Sequence, residues 1–184
     1  MNYFSDDLIK HITEKYENHE EKVDELYDHV EELINYYSYR TISSTYVAQL
    51  LARRKITKFA FYCMDNATFN TMSCPSCLIY HRFVNRETNT IEYYILMVCT
   101  KPRFKSLGYA SMLLNGFIER VKRENADTDQ DIKIIVSSLN TAVSYYEHYG
   151  FTLTGKTMLE YPRLLLFEKY DEKKPCFIME MIIQ

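Results

Sequence analysis

The sequence contains no tryptophan and has only four glycines and four prolines among its 184 residues. A collagen-like fibre and a glycine- and proline-rich linker are therefore excluded, and the 47% of hydrophobic residues is enough to build a globular core. No apolar run approaches the roughly 20 residues that a membrane-spanning helix needs. The first residues lack the positive charge and the apolar stretch of a signal peptide, so we do not expect export.

The five cysteines are an odd number in a chain without a recognisable export signal, and this is typical of a protein from a reducing compartment. We therefore expect an intracellular, cytoplasmic protein. Cys74 and Cys77 form a Cys-x-x-Cys motif that has three possible zinc ligands when His81 is included, with Cys63 or Cys176 needed as a fourth. The favoured interpretation is an ordinary turn without metal, and a small zinc or redox protein is an alternative.

The charge is distributed unevenly along the chain. Residues 1–35 contain eleven acidic residues against three lysines, whereas the rest of the chain has more basic than acidic residues. The acids are either the solvated face of a helix or a surface that attracts a cationic partner. Nucleic-acid binding is not predicted, because no dense lysine and arginine stripe with interleaved aromatic residues is present.

The hydrophobic pattern predicts the elements of one mixed α/β domain over residues 1–184. Spacing of three and four residues predicts helices within the N-terminal part, residues 1–55, at 6–16, 23–37 and 46–55. Short aromatic and β-branched segments predict an antiparallel meander at 58–64, 78–84 and 91–100. The pattern then predicts a helix at 110–121, a buried strand at 132–136, a helix at 140–149 and closing strands at 151–154 and 176–183.

The loop before the helix at 110–121 has the chemistry of an anion site. A strand, a loop with a glycine and a helix N-terminus together present unpaired backbone N–H groups and a partial positive charge to a ligand. Surface helices usually place an acidic residue in their first turn, but this helix has none before Glu119. Lys101, Arg103 and Lys105 precede it. We therefore expect a phosphate or pyrophosphate here, although neither the Walker nor the dinucleotide motif is present.

Two motifs resemble those of a known family. Lys105-x-x-Gly108-x-Ala110 resembles the Arg/Gln-x-x-Gly-x-Gly/Ala signature of the GCN5-related N-acetyltransferases, abbreviated GNAT, with a lysine at the first position. Residues 140–151 resemble the second signature, Asn-x-x-Ala-x-x-x-Tyr-x-x-x-Gly-Phe, with Asn140 one residue closer to the alanine. The resemblance identifies residues 91–155 as a coenzyme-A-binding core within a mixed, mostly antiparallel sheet flanked by helices.

The resemblance implies an N-acetyltransferase that moves the acetyl group of acetyl-CoA directly to a primary amine. The amine would belong to a protein lysine, a protein N-terminus, a polyamine or another small molecule. Tyr146 is implied as the general acid for the leaving thiolate. The coenzyme contacts implied are Leu96 and Val98, whose backbone N–H groups are candidates to polarise the thioester, together with Arg103, Phe104, Lys105, Ser106, Leu107, Gly108, Tyr109, Ala110 and Asn140.

Glu92 is the candidate general base. It is the single charged residue in residues 91–100, a mostly apolar strand, and burial would raise its pKa toward neutrality. A carboxylate at the solvated start of the strand and a water chain as the base are the alternatives.

The acceptor is not specified by the sequence. We expect selectivity to come from the N-terminal helices and from residues 156–175, which join the last two strands. A catalytically silent module that binds the coenzyme without turnover is a second functional interpretation.

Overall fold

The structure is a computed structural model that describes residues 1–38, 42–64 and 73–184. The helices are α1 (Ser5–Lys15), α2 (His19–Tyr37), α3 (Ser44–Ala52), α4 (Tyr109–Glu124) and α5 (Val143–His148). The strands are β1 (Asn2–Phe4), β2 (Thr57–Tyr62), β3 (Ser76–Asn85), β4 (Thr90–Thr100), β5 (Asp131–Ser138), β6 (Thr152–Leu153) and β7 (Phe177–Ile183). In the part of the chain that the structure describes, no helix is long and apolar enough to cross a membrane.

The seven strands form a mixed, mostly antiparallel sheet in the order β1-β2-β3-β4-β5-β7-β6. This confirms the predicted mixed α/β class, including the consecutive β2, β3 and β4. The chain divides into two compact units, which are Met1–Ile79 with Met97–Val121, and Tyr80–Leu96 with Lys122–Gln184. We call them the first and second unit.

The first unit contains the N-terminal helices and an edge strand that sequence reasoning missed. Strand β1 is three residues long and pairs antiparallel with β2. Helix α2 buries the apolar stripe that its spacing predicts, and the buried residues are Leu26, Tyr27, Val30, Leu33, Ile34 and Tyr37. Arg120 of α4 binds the Asp7 carboxylate of α1 with two guanidinium nitrogens. Helix α1 is thereby anchored to α4.

The second unit is organised around β5. This strand pairs in parallel with β4, from Thr90↔Asp131 to Ile95↔Val136, and antiparallel with β7 on its other side. Helix α5 is preceded by a 3-10 turn at Asn140–Ala142 and followed by Gly150, whose φ of 93° is the left-handed conformation common just after a helix. The segment that joins β6 to β7 contains 3-10 turns at Met158–Glu160 and Leu164–Leu166.

Candidate functional site

In the first unit, the loop between β4 and α4 has the backbone of an anion cradle. It begins with a 3-10 turn at Pro102–Phe104 and then enters the left-handed region at Ser106, with φ of 64°, and at Gly108, with φ of 83°. A Cβ atom built on Gly108 would have no neighbour within 4 Å, so space is open beside the backbone there. Helix α4 has no acidic residue in its first turn. The loop therefore offers helix N–H groups to an anion with no competing carboxylate at the helix start.

Aromatic packing fixes the position of this loop. The Tyr109 ring lies 5.6 Å from the Phe104 ring and 5.6 Å from the Tyr62 ring of β2, measured between centroids. The Arg103 guanidinium lies 4.6 Å from the Phe104 ring centroid. These contacts join the two ends of the loop to each other and attach the Tyr109 end to β2, so the cradle is formed by the protein itself.

A cavity of about 310 Å³ opens beside the loop within the first unit. Its lining residues come from α2, from residue 42, from the end of β4 and from the loop, and they are Tyr37, Ile42, Val98, Cys99, Thr100, Lys105, Ser106 and Ala110. Val98, Lys105, Ser106 and Ala110 were predicted from the sequence, and the structure brings them together. Cys99 and Tyr37 were not predicted, because neither belongs to the motif that identified the loop.

Lys101, which directly precedes the loop, is buried with 3% of its surface exposed. Burial lowers the pKa of its ammonium group, and the Arg103 charge lowers it further. Its Nζ atom lies 5.3 Å from the Tyr37 ring centroid, a favourable cation–π position. Lys101 therefore has a local structural role, whereas Arg103 and Lys105 are exposed and available to a ligand.

The prediction that the Cys-x-x-Cys segment is an ordinary turn is wrong, because Cys74 is disulfide-bonded and Cys77 belongs to a strand. Cys63, directly after β2, forms a disulfide with Cys74, which lies shortly before β3. Their Cα atoms are 4.0 Å apart. Cys77 lies on β3, with its Sγ atom 3.1 Å from Sγ of Cys99 on β4. Among the described residues, no group of three or more His, Cys, Asp or Glu side chains is arranged to bind a metal ion.

In the second unit, Tyr146 lies on α5 with 8% of its surface exposed. Its ring contacts Tyr145 and Phe151 edge-on, at centroid distances of 5.3 and 5.4 Å. Burial raises the pKa of the Tyr146 phenol to about 12. The hydroxyl is therefore protonated at neutral pH and available to donate a proton or a hydrogen bond.

Glu92 is half-buried near the start of β4 and is held by hydrogen bonds. The hydroxyls of Tyr94 and Thr90 donate to its carboxylate. Burial and the bond to Glu92 raise the pKa of the Tyr94 phenol. Leu96, a predicted coenzyme contact, is four residues further along β4, which corresponds to about 13 Å at the strand rise of 3.3 Å per residue.

Glu92 also lines a cavity of about 710 Å³ in the second unit. Four carboxylates and four basic side chains surround it, and they are Glu87, Glu92, Glu160, Glu180, Arg86, Lys133, Lys156 and Arg163. The Tyr161 hydroxyl donates to the Glu180 carboxylate at 2.7 Å. A cavity of this size with balanced charge suits an organic ligand that has both charged and apolar parts.

A carboxylate that sequence reasoning missed lies at the other end of β5. Glu168 shares a cavity of about 570 Å³ with Asn140 and Thr141. Burial raises the pKa of its carboxyl group to about 7, and a hydrogen bond with Ser137 opposes that rise. A single glutamate carries no sequence signal for its own burial, even after the apolar residues 164–167, and only the fold of residues 156–175 produces that burial.

The structure thus divides the predicted site residues between the two units. Val98 and the residues from Arg103 to Ala110 belong to the first unit, whereas Glu92, Leu96, Asn140 and Tyr146 belong to the second. Within the second unit, Asn140 lines the cavity that contains Glu168, and Glu92 lines the larger cavity. Residues 156–175, predicted to influence the acceptor, contribute to the lining of both cavities.

Comparison with known proteins identifies a similar domain family and a similar fold. Residues 80–160 match the family model described as an acetyltransferase (GNAT) domain. No match was found among curated protein sequences.

Several solved structures have the same fold. Tetrahymena GCN5 is 15% identical, with a TM-score of 0.58, and the match covers 87% of this chain and 88% of that one. Ard1 from Thermoplasma volcanium is 16% identical, with a TM-score of 0.55 and coverage of 86% and 93%. The NatC complex bound to Gag peptide and CoA contains a chain that is 19% identical, with a TM-score of 0.54 and coverage of 86% and 91%. At these identities the likeness shows the fold.

Proposed function

We propose that the chain is an acyltransferase of the GNAT superfamily and that it transfers the acetyl group of acetyl-CoA to a primary amine, since residues 80–160 match an acetyltransferase (GNAT) domain. The observation that carries the proposal is the cradle of the first unit. There Lys105, Ser106 and Ala110 line a cavity beside an acid-free helix start. A solved structure with the same fold contains CoA.

The residues of the first unit fit the phosphates of a coenzyme. The N–H groups at the start of α4 would bind the pyrophosphate, with Lys105 and Arg103 as additional cations. Gly108 leaves the space for this approach, since a side chain there would project into the open region beside the backbone. Acetyl-CoA would supply the activated acyl group, and the chain would bind and orient it.

Two groups of the second unit are suited to moving protons. Tyr146, kept protonated by burial, would donate its hydroxyl proton to the departing sulfur atom. A carboxylate would accept a proton from the acceptor ammonium, so that the resulting neutral amine attacks the thioester. Glu92 remains the base predicted from the sequence and would act through water. Glu168, which lines the separate cavity of about 570 Å³, is the second candidate for an amine that reaches that cavity, because its pKa near 7 suits proton abstraction at neutral pH.

We assign acceptor binding to the second unit, in the cavity of about 710 Å³ that residues 156–163 line in part. The Glu92 and Glu180 carboxylates, each held by a tyrosine hydroxyl, provide acceptors for an ammonium group. Arg86, Lys133 and Arg163 provide partners for carbonyl or carboxylate oxygens. This combination fits a peptide that carries an amine, from a lysine side chain or an N-terminus, better than a polyamine.

Binding of acetyl-CoA tests the proposal most directly, with Gly108→Glu as the informative variant. We expect calorimetry to detect micromolar binding to the wild type and none to Gly108→Glu, because a carboxylate would occupy the phosphate position. Gly155→Glu is the matched control, since Gly155 also has a positive φ, of 69°, and open space beside its backbone. It introduces the same charge and the same backbone strain in the second unit.

Failure of the folded wild type to bind acetyl-CoA, or equal loss in both variants, would contradict the assignment. Binding followed by acetyl transfer to any member of an amine and peptide panel supports the enzyme. Binding without transfer to any of them would instead select the silent coenzyme-binding module.

A further inference from the structure

Two free cysteines meet in the first unit at the wall of the cavity. Cys77 lies on β3 and is fully buried, whereas Cys99 lies on the neighbouring β4 and is half-buried. Their Sγ atoms are 3.1 Å apart. A disulfide bond is about 2.05 Å long, so the two sulfurs need to approach by only about 1 Å to bond.

Cys99 is the accessible member of this pair. It lines the cavity of about 310 Å³ together with Lys105, Ser106 and Ala110. Cys77 has no exposed surface, and burial raises the pKa of its thiol well above the ordinary value. A reagent that enters the cavity therefore meets Cys99, which lines it, whereas Cys77 does not line it and lies with its sulfur 3.1 Å from that of Cys99.

The segment around Cys77 is also hydrogen-bonded to the end of β4 and to the start of the loop between β4 and α4. The Ser76 and Thr100 hydroxyls lie 2.8 Å apart, and the Lys101 N–H donates to the Pro75 carbonyl at 2.9 Å. These bonds hold β3 and β4 together directly beside the thiol pair, on the side toward the loop. The approach of the two sulfurs is therefore a small adjustment within a fixed frame.

We propose that Cys99 is a site of reversible thiol modification and that Cys77 is its resolving thiol, which removes adducts from the cavity. The reaction partner is a low-molecular-weight disulfide, RSSR. The Cys99 thiolate attacks one sulfur, forms a mixed disulfide and releases RS⁻, which takes up a proton. Cys77 then attacks Sγ of Cys99 as its own proton leaves, and the second RSH departs.

The net reaction oxidises two cysteine thiols to one disulfide and reduces RSSR to two thiols. Without Cys77, an adduct on Cys99 would remain in the cavity beside Lys105 and Ser106. The inference rests on the proposed function only for the identity of the ligand that the adduct would exclude, which is acetyl-CoA.

Oxidised glutathione is the probe, and the full chain carrying Cys176→Ser is the background, which removes the free cysteine of the second unit. After treatment, intact mass and peptide mapping identify the state of each cysteine. We expect a Cys77–Cys99 disulfide with no retained glutathione in this background. Cys77→Ser should retain one glutathione on Cys99, and Cys99→Ser should leave Cys77 unmodified because it is buried.

A lasting glutathione adduct on Cys99 in the presence of Cys77 would overturn the proposal. So would recovery of Cys77 and Cys99 as free thiols, or pairing of Cys77 with Cys74. Calorimetry with acetyl-CoA then tests the thiol proposal separately from the proposed function. If the reduced protein binds acetyl-CoA and the Cys77→Ser adduct binds at least tenfold more weakly, the cavity assignment stands. Equal binding by both would refute it. If even the reduced protein fails to bind, the proposed function fails, while the thiol chemistry is decided by the mass measurements alone.

Discussion

At the scale of single residues, Tyr146 is the clearest test of catalysis. Tyr146→Phe removes one hydroxyl from a ring that keeps its contacts with Tyr145 and Phe151. If that hydroxyl protonates the departing sulfur, turnover should fall roughly 10²–10⁴-fold while acetyl-CoA binding is unchanged. Steady-state kinetics and calorimetry on the same preparation measure both quantities.

Tyr149→Phe is the control, because Tyr149 directly follows α5 and contacts Tyr145 as well. It should retain nearly full turnover. A loss of no more than a few-fold in Tyr146→Phe would show that the buried tyrosine is structural and that the proton comes from elsewhere.

The choice between Glu92 and Glu168 is decided by pH. A base must be deprotonated to act, so a base with a pKa near 7 makes kcat/KM rise as the pH increases through 7. Glu168→Gln should lower kcat/KM at pH 8 by at least tenfold and remove the inflection near pH 7. Glu92→Gln should leave that inflection in place.

Glu172→Gln, an exposed carboxylate on the same segment, serves as the control and should follow the wild-type profile. If instead Glu92→Gln abolishes the inflection and Glu168→Gln does not, the base predicted from the sequence is correct and Glu168 is structural.

At the scale of secondary structure elements, Gly116 shows how β1 and α4 are matched. A Cβ atom on Gly116 would lie 1.4 Å from Nδ2 of Asn2, so the helix has a glycine where the edge strand reaches it. Alanine in a helix interior is favoured over glycine by about 1 kcal/mol. In the wild type, Gly116→Ala should not raise the free energy of unfolding, because the added methyl group meets the Asn2 amide. In a chain that carries Asn2→Ala, the same substitution should raise the free energy of unfolding by about 1 kcal/mol.

Urea unfolding of the two single variants and the double variant measures this coupling. We expect an interaction free energy of about 1 kcal/mol or more, in the range found for residues in contact. Additive effects of the two substitutions would mean that the Asn2 side chain moves aside freely and that the glycine is not needed for packing.

At the scale of the whole molecule, the acidic N-terminal part predicts salt-dependent capture of a basic substrate. Residues 14–32 contain nine acids, although Asp24 and Glu25 are paired with Arg54 and Lys22. Glu20 and Glu21 are exposed in the first turn of α2. Glu20→Lys with Glu21→Lys should raise the KM for a basic peptide several-fold, with little change for a neutral amine.

Salt should have the same selective effect, because the screening length falls from about 10 Å at 0.1 M to about 3 Å at 1 M ionic strength. Asp127→Lys with Asp129→Lys changes the net charge equally in the turn before β5 and is the control. If both double variants have the same KM for every acceptor tested, the acidic residues of α2 only keep the helix surface solvated and do not attract the substrate.

The sequence by itself determined the fold class, most element boundaries and the position of the loop between β4 and α4. Periodicity identified α2 and α4 because each helix buries one face, and Gly108 and Lys105 were recognisable because a positive φ and an anion site restrict the residue type locally. The tertiary structure decided features that join distant residues. Strand β1 is too short to show a pattern and forms because β2 offers an edge. The burial that sets the pKa of Glu168 near 7 and the contact of Cys77 with Cys99 arise only when separate segments pack together, since no local propensity encodes which residues meet.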